Sequence, residues 1–223
     1  MAGWSRLHEH DVSGSPLAVG WLRGVQGLAR PVLGVPPDVL TGFGVVCAVA
    51  AVVLAAAGGS WLWPSMVLLV ATGLFDGLDG AVALLTGKAR PAGAVLDAFA
   101  DRITELCFTA VLVVLGAPLG WCAGLAVLLL LHEYLRVRAQ VAGMRGAGAI
   151  TVAERPTRLI VAVVAVAGSA LAPAGTPWTG WSWASTCAAV WAGLSLIGLV
   201  HLSIGVTRKL PARWTDRVGD DRG

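Results

Sequence analysis

Residues 106–131 read LCFTAVLVVLGAPLGWCAGLAVLLLL, 26 positions without a charged side chain and with a turn-like Gly116-Ala-Pro118-Leu-Gly120 near their centre. Whether this run crosses a membrane once or twice decides the fold. As a single span it would put Arg136, Arg138, Arg145, Arg155 and Arg158 on the opposite side from Lys88 and Arg90. That contradicts the excess of Lys and Arg in cytoplasmic loops. As two spans it keeps every basic residue on one side, but each half holds only about 13 uncharged residues, where a crossing needs about 20. The missing length has to come from the flanks. The first helix of the pair must start near Gly93 and include Asp97, Asp101 and Glu105, and the second must run past Glu133 and Arg136. Charge topology therefore drives ionisable residues into the cytosolic ends of membrane helices, where they are costly and mark function.

Working outward, no charge lies between Asp38 and Asp76, and Gly58-Gly59-Ser60 breaks that stretch into spans of about 38–57 and 61–84. Two more spans, about 156–173 and 182–206, precede the basic residues Arg208, Lys209, Arg213 and Arg217. The expected fold is all-α: a polytopic membrane protein with six transmembrane helices and both termini cytosolic. The outer turns near 58–62, 116–121 and 173–183 carry no charge, and Trp61, Trp63, Trp121, Trp178, Trp181 and Trp183 gather there, as an interfacial aromatic belt does. Upstream, Leu17, Trp21, Val25, Leu28 and Val32 recur at helical spacing opposite Arg23, Gln26 and Arg30, the pattern of an amphipathic helix lying on the membrane surface. The expected organisation is a cytosolic N-terminal segment over 1–34 with that interfacial helix, a six-helix membrane domain over 35–207, and a cytosolic basic tail over 208–223.

Composition agrees. The chain of 223 residues is 57% hydrophobic and 13% charged, with mean hydropathy +0.77, which excludes an ordinary soluble domain, about a quarter charged, and a disordered chain. Fourteen of the 16 basic residues are Arg; with abundant Ala, Gly and Val, this points to a GC-rich bacterial genome and a cell-membrane location. Arg6, His8, Glu9, His10 and Asp11 occupy the place where a cleaved export signal needs an apolar core. Cys47, Cys107, Cys122 and Cys187 stand singly in apolar stretches and read as small core residues. His132-Glu133 is no zinc-protease motif, because Arg136 takes the second histidine's place. His201 reads as a packing or interfacial residue, and no nucleic-acid partner is expected.

The informative chemistry lies in Asp76-Gly-Leu-Asp79-Gly80-Ala-Val-Ala83-Leu84 and in Gly93-Ala-Val-Leu-Asp97-Ala-Phe-Ala-Asp101. Asp76 and Asp79 are three apart and Asp97 and Asp101 four apart, so each pair shares a helical face. The short 85–92 connection makes the two helices antiparallel neighbours, which lets four carboxylates converge at the cytosolic membrane surface. Such a cluster repels itself and needs cations. Arg102 alone cannot balance it, and oxygen-only ligands select hard divalent ions, Mg2+ or Mn2+. Gly80, Ala83 and Gly93 leave room for close helix approach or for a nucleotide against backbone.

These residues resemble the signature of the CDP-alcohol phosphotransferases, D-x2-D-G-x2-A-R-x8-G-x3-D-x3-D. Asp76, Asp79, Gly80, Ala83, Gly93, Asp97 and Asp101 match it in type and spacing, while Leu84 stands where the signature has Arg. The resemblance implies transfer of a phosphatidyl group from CDP-diacylglycerol, or a related CDP-lipid, to a hydroxyl acceptor with release of CMP, using two divalent cations. It also implies Asp76, Asp79 and Asp97 as ligands, Asp101 as ligand and proton acceptor, and a homodimer. Lys88, one helical turn beyond Leu84, or Arg90 is the candidate to replace the absent arginine toward the donor phosphates. A second segment, Glu133-Tyr134-Leu-Arg136-Val-Arg138 with Glu154-Arg155 and Arg158, is similar to the arginine-rich segment of the phosphatidylinositol-phosphate synthase branch. It makes Arg136, Arg138, Arg145, Arg155 and Arg158 candidates for binding a phosphorylated polyol, inositol phosphate first and glycerol phosphate second.

Two rival readings stay open. A cation-handling transporter would place its carboxylates near the bilayer midplane rather than at one face. A catalytically silent homologue would owe its silence to Leu84.

Overall fold

Four residues divide the decisive run. One helix ends at Val114, Gly116 turns the chain at φ 94°, and Pro118 at φ −58° stands at the N-cap of the next helix. The left-handed φ favours glycine, which has no Cβ to clash. The computed structural model describes residues 30–144 and 155–210, and every regular element among them is helical. The α-helices are α1 (Pro37–Ala57), α2 (Leu62–Leu85), α3 (Pro91–Val114), α4 (Leu119–Val141), α5 (Arg155–Leu171) and α6 (Trp183–Lys209). Proline opens α1 and α3 at their first positions, where its missing N–H costs nothing. The helices of the decisive pair take the lengths that charge counting demands: α3 includes Asp97, Asp101 and Glu105, and α4 continues past Glu133 and Arg136.

Four stretches are long and apolar enough to cross a membrane: Pro37–Ala57, Gly59–Leu85, Leu119–Val141 and Trp183–Lys209. These make the chain a multi-pass membrane protein. The other two helices differ for physical reasons. Asp97, Asp101, Arg102 and Glu105 interrupt the apolar run of α3, though not the helix itself, and the 17 described residues of α5 reach roughly 25 Å at 1.5 Å per residue. The expected amphipathic helix over 17–33 lies outside the described residues except for its end, where Arg30–Val32 form a single 3-10 turn.

Small residues set the packing. The buried face of α1 is Leu40, Gly44, Ala48, Ala51 and Ala55, a narrow stripe that lets α2 approach closely. At that contact the Ser65 hydroxyl donates to the Ala51 carbonyl at 2.8 Å and the Thr72 hydroxyl to the Gly44 carbonyl at 3.3 Å. Helix α1 packs on α2 and α3, α5 bridges α2, α3 and α6, and α4 packs on α6 and α3. The main core holds Leu69, Phe108, Leu112, Leu125, Leu129, Val166 and Trp191. Smaller clusters form at the other end, around Leu40, Leu78 and Val82 and around Ala139, Leu202 and Val206. Along α2 the buried positions run from Leu62 and Leu69, through Thr72 and Asp79, to Ala81 and Val82. The functional layer is thus a polar band between two apolar ones. Outside, Val46, Val53, Val67, Val127, Ile197 and Val200 are exposed, the apolar surface that lipid covers. Trp61, Trp121, Trp178 and Trp181 are exposed at the turns opposite the aspartates.

Candidate metal centre

The site is assembled by four helices. Helix α2 carries Asp76 and Asp79, α3 carries Asp97 and Asp101, α1 brings Thr41, and α5 begins at Arg155. All six line one small cleft. Three carboxylates meet there: Asp76, Asp97 and Asp101 each offer an oxygen, all within 4.8 Å of one another. The fourth, Asp79, turns toward α1. Its oxygens accept from the Thr41 hydroxyl at 2.5 Å and from the Gly80 amide at 2.6 Å, which fixes its rotamer beside the other three. An ionised carboxylate has about four lone-pair sites, so these bonds leave Asp79 with ligating capacity.

A positive charge already sits in the cluster. The Arg155 guanidinium pairs with Asp76 and Asp101 and donates to the Thr104 hydroxyl at 3.2 Å. A single guanidinium spanning aspartates from two helices shows that their oxygens converge on one place suited to a cation. The donor set is oxygen only, as hard divalent ions require, and it carries more negative charge than Arg155 neutralises. The residues present fit Mg2+ or Mn2+.

One turn deeper lies a second ionic layer. Glu105 is completely buried and pairs with Arg158 of α5, itself 6% exposed. Arg102 reaches Glu105 at 3.0 Å and Glu133 of α4 at 3.4 Å. Arg102 therefore balances this inner pair of glutamates, not the aspartates.

The other expected residues fall as follows. Gly80 and Ala83 lie on α2, where the Gly80 amide donates to Asp79, and Gly93 lies in the first turn of α3, where a Cβ would stand 3.3 Å from Arg90 Cγ. Arg90 is exposed and paired with Asp38 at the start of α1, and Lys88 is exposed in the α2–α3 connection. Of the five arginines assigned to the acceptor, Arg155 reaches the aspartates, whereas Arg158 is enclosed by the Glu105 layer. Arg136 lies 3.5 Å from the buried His132, and Arg138 is exposed near the end of α4. Arg145 and Glu154 lie outside the described residues. Sequence reasoning missed Thr41 and Thr104, and their signal was a hydroxyl within one turn of a helix end or of an aspartate.

These features define a class: a helical membrane protein with a cluster of carboxylates, of a kind that could hold divalent cations, at one end of its bundle. Residues 35–199 match the CDP-alcohol phosphatidyltransferase family, and the chain belongs to it. A phosphatidylinositol phosphate synthase of Mycobacterium marinum is 36% identical over 167 residues, 69% of this chain and 63% of that protein. The chain thus spans just under two thirds of that relative. The Mycolicibacterium smegmatis counterpart is 35% identical over 68% of this chain and 73% of its own length. An archaetidylinositol phosphate synthase of Aeropyrum pernix is 36% identical over 52% of this chain and 62% of its own. The fold is similar to the Mycobacterium tuberculosis phosphatidylinositol phosphate synthase in complex with manganese and citrate, at 30% identity and TM-score 0.66, covering 82% of this chain and 88% of that one. It is also similar to the same enzyme with CDP-diacylglycerol bound, at 29% identity and TM-score 0.59, covering 84% and 92%.

Proposed function

We propose that this protein transfers the phosphatidyl group of CDP-diacylglycerol to a hydroxyl of a phosphorylated polyol, inositol phosphate before glycerol phosphate, and releases CMP. The observation that carries the reading is the convergence of Asp76, Asp97 and Asp101 around one cation position, with Asp79 held alongside. Two divalent cations held by Asp76, Asp79, Asp97 and Asp101 would neutralise the diphosphate and the departing CMP. The residues do the rest. Asp101 takes the proton of the acceptor hydroxyl as its oxygen bonds to the phosphorus bearing diacylglycerol. The bond from that phosphorus to the bridging oxygen breaks, and CMP leaves with the electron pair. Gly80, Ala83 and Gly93 give the nucleotide access to backbone, and Lys88 replaces the arginine absent at Leu84. Arg155, with Arg138 and Arg145, binds the acceptor phosphate, since guanidinium groups pair with phosphate bidentately.

Six spans, both termini at the cytosolic face and a homodimer complete the reading. It is supported by relatives named phosphatidylinositol phosphate synthase and by a related structure with CDP-diacylglycerol bound. The test is CMP release from CDP-diacylglycerol by the purified chain with Mg2+ or Mn2+ and an acceptor. Release should stop in excess EDTA, and Asp97→Asn should slow it by at least about two orders of magnitude, since groups that merely orient a metal ligand already contribute 10–100-fold. Full release in EDTA overturns the metal reading. No release with any acceptor favours the silent homologue.

A further inference from the structure

The two arginine–carboxylate rungs between α3 and α5 are not equivalent. The inner rung, Glu105 with Arg158, has side chains 0% and 7% exposed, and Arg102 braces it. The outer rung, Asp101 with Arg155, has side chains 20% and 22% exposed. The inner rung is enclosed between α5 and α3, whereas the outer guanidinium lies partly open to the cleft.

It has a reason to leave. Arg155 pairs with Asp76 and Asp101, which are two of the three carboxylates that converge on one cation position. A guanidinium and a divalent cation drawn to the same carboxylate cluster repel each other and compete for its negative charge. We propose that Arg155 is an internal stand-in cation: it holds the aspartate cluster together until a divalent ion displaces it, and the displaced guanidinium then takes the acceptor phosphate. The inference rests on the aspartates being the metal centre proposed above. Its consequence is an order of binding. Without metal, Arg155 is engaged by aspartates and the acceptor phosphate lacks this one of its partners. With metal, the same side chain is released to it. Linkage requires the converse, so a phosphorylated acceptor that captures Arg155 tightens metal binding by the same factor.

The experiment measures metal binding, not turnover. Mn2+ affinity of the full chain in detergent is determined by electron paramagnetic resonance for wild type, Arg155→Gln, Arg155→Lys and Asp97→Asn. Removing the competing charge should tighten Mn2+ binding by about tenfold in Arg155→Gln, whereas Arg155→Lys, which keeps a competing cation, should stay near wild type. Inositol phosphate should tighten Mn2+ binding in wild type and leave Arg155→Gln unchanged. In the unmodified chain, phenylglyoxal labelling of Arg155, read by peptide mass, should accelerate severalfold when Mn2+ is added. That measurement needs no variant to fold. Equal or weaker Mn2+ binding by Arg155→Gln, or labelling of Arg155 that Mn2+ leaves unchanged, overturns the proposal while the metal centre stands. Absence of Mn2+ binding in wild type and in Arg155→Gln alike overturns the metal centre, and the proposal with it.

Discussion

Glu105 of α3 is fully buried and is held by Arg158 of α5, one helical turn away from the Asp101–Arg155 pair that joins the same two helices at the cleft. A charge so placed is expensive unless its partner is present. The inner pair therefore sets how α5 sits on α3, and through that where Arg155 stands.

Removing one partner leaves the other charge uncompensated. Arg158→Met should destabilise the protein by about 3–5 kcal/mol, seen as a drop in Tm in detergent. The double variant Glu105→Leu with Arg158→Met should recover most of the loss, because replacing a buried pair with apolar residues of similar size is often neutral. If the double variant is as unstable as the single one, the pair is not what orders this layer.

Thr41 touches the aspartates without belonging to them. Its hydroxyl orients Asp79 across 38 residues of sequence. Partners that orient a ligand typically contribute 10–100-fold in metal affinity or activity. Thr41→Val should lower Mn2+ affinity by about tenfold, and Thr41→Ser should restore it. An unchanged affinity in Thr41→Val would remove Asp79 from the ligand set.

Leu84 stands where the signature has arginine, and the two candidate substitutes toward the proposed donor phosphates are placed differently. Lys88 is exposed beyond the end of α2, whereas Arg90 is engaged by Asp38. Lys88→Ala should raise the KM for the CDP-lipid. Arg90→Ala should alter stability by no more than about 1 kcal/mol, because the Asp38–Arg90 pair is largely exposed. A KM effect at Arg90 and none at Lys88 would reverse the assignment.

The two ends of α5 differ in what holds them. Near its C-terminal end, a Cβ on Gly168 would lie 2.2 Å from the Trp183 ring, and the indole closes the start of α6 against α5. Gly168→Ala should cost about 1–3 kcal/mol, as overpacking does, and lower Tm while leaving Mn2+ binding intact. An unchanged Tm would mean that Trp183 can move aside freely.

Much of this was legible from charge counting. The 106–131 run had to be two helices, and its missing length had to come from the stretches bearing Asp97, Asp101 and Glu133, because the side on which arginines gather constrains the whole chain at once. The turn at Gly116 and the reach of α3 and α4 follow that logic. Pairings that depend on how helices pack were not legible. Arg155 meets Asp76 across 79 positions, and nothing local to either residue encodes the meeting. Arg102 looked like a partner for the aspartates, yet Glu105, three residues on, and Glu133 of α4 take it. Arg158 reads in sequence like its neighbour Arg155; the turn of helix between them carries one to the cleft and the other into the core.

The most direct test of the central claim is a panel of acceptors. The purified chain is given radiolabelled CDP-diacylglycerol and Mn2+ with inositol phosphate, glycerol phosphate, free inositol or serine, and CMP release is followed for wild type and Arg155→Gln. The account predicts metal-dependent release that is fastest with inositol phosphate, and a strongly raised acceptor KM in Arg155→Gln with the CDP-lipid KM nearly unchanged. Fastest release with an unphosphorylated acceptor, or an Arg155→Gln variant with the wild-type acceptor KM, would contradict it.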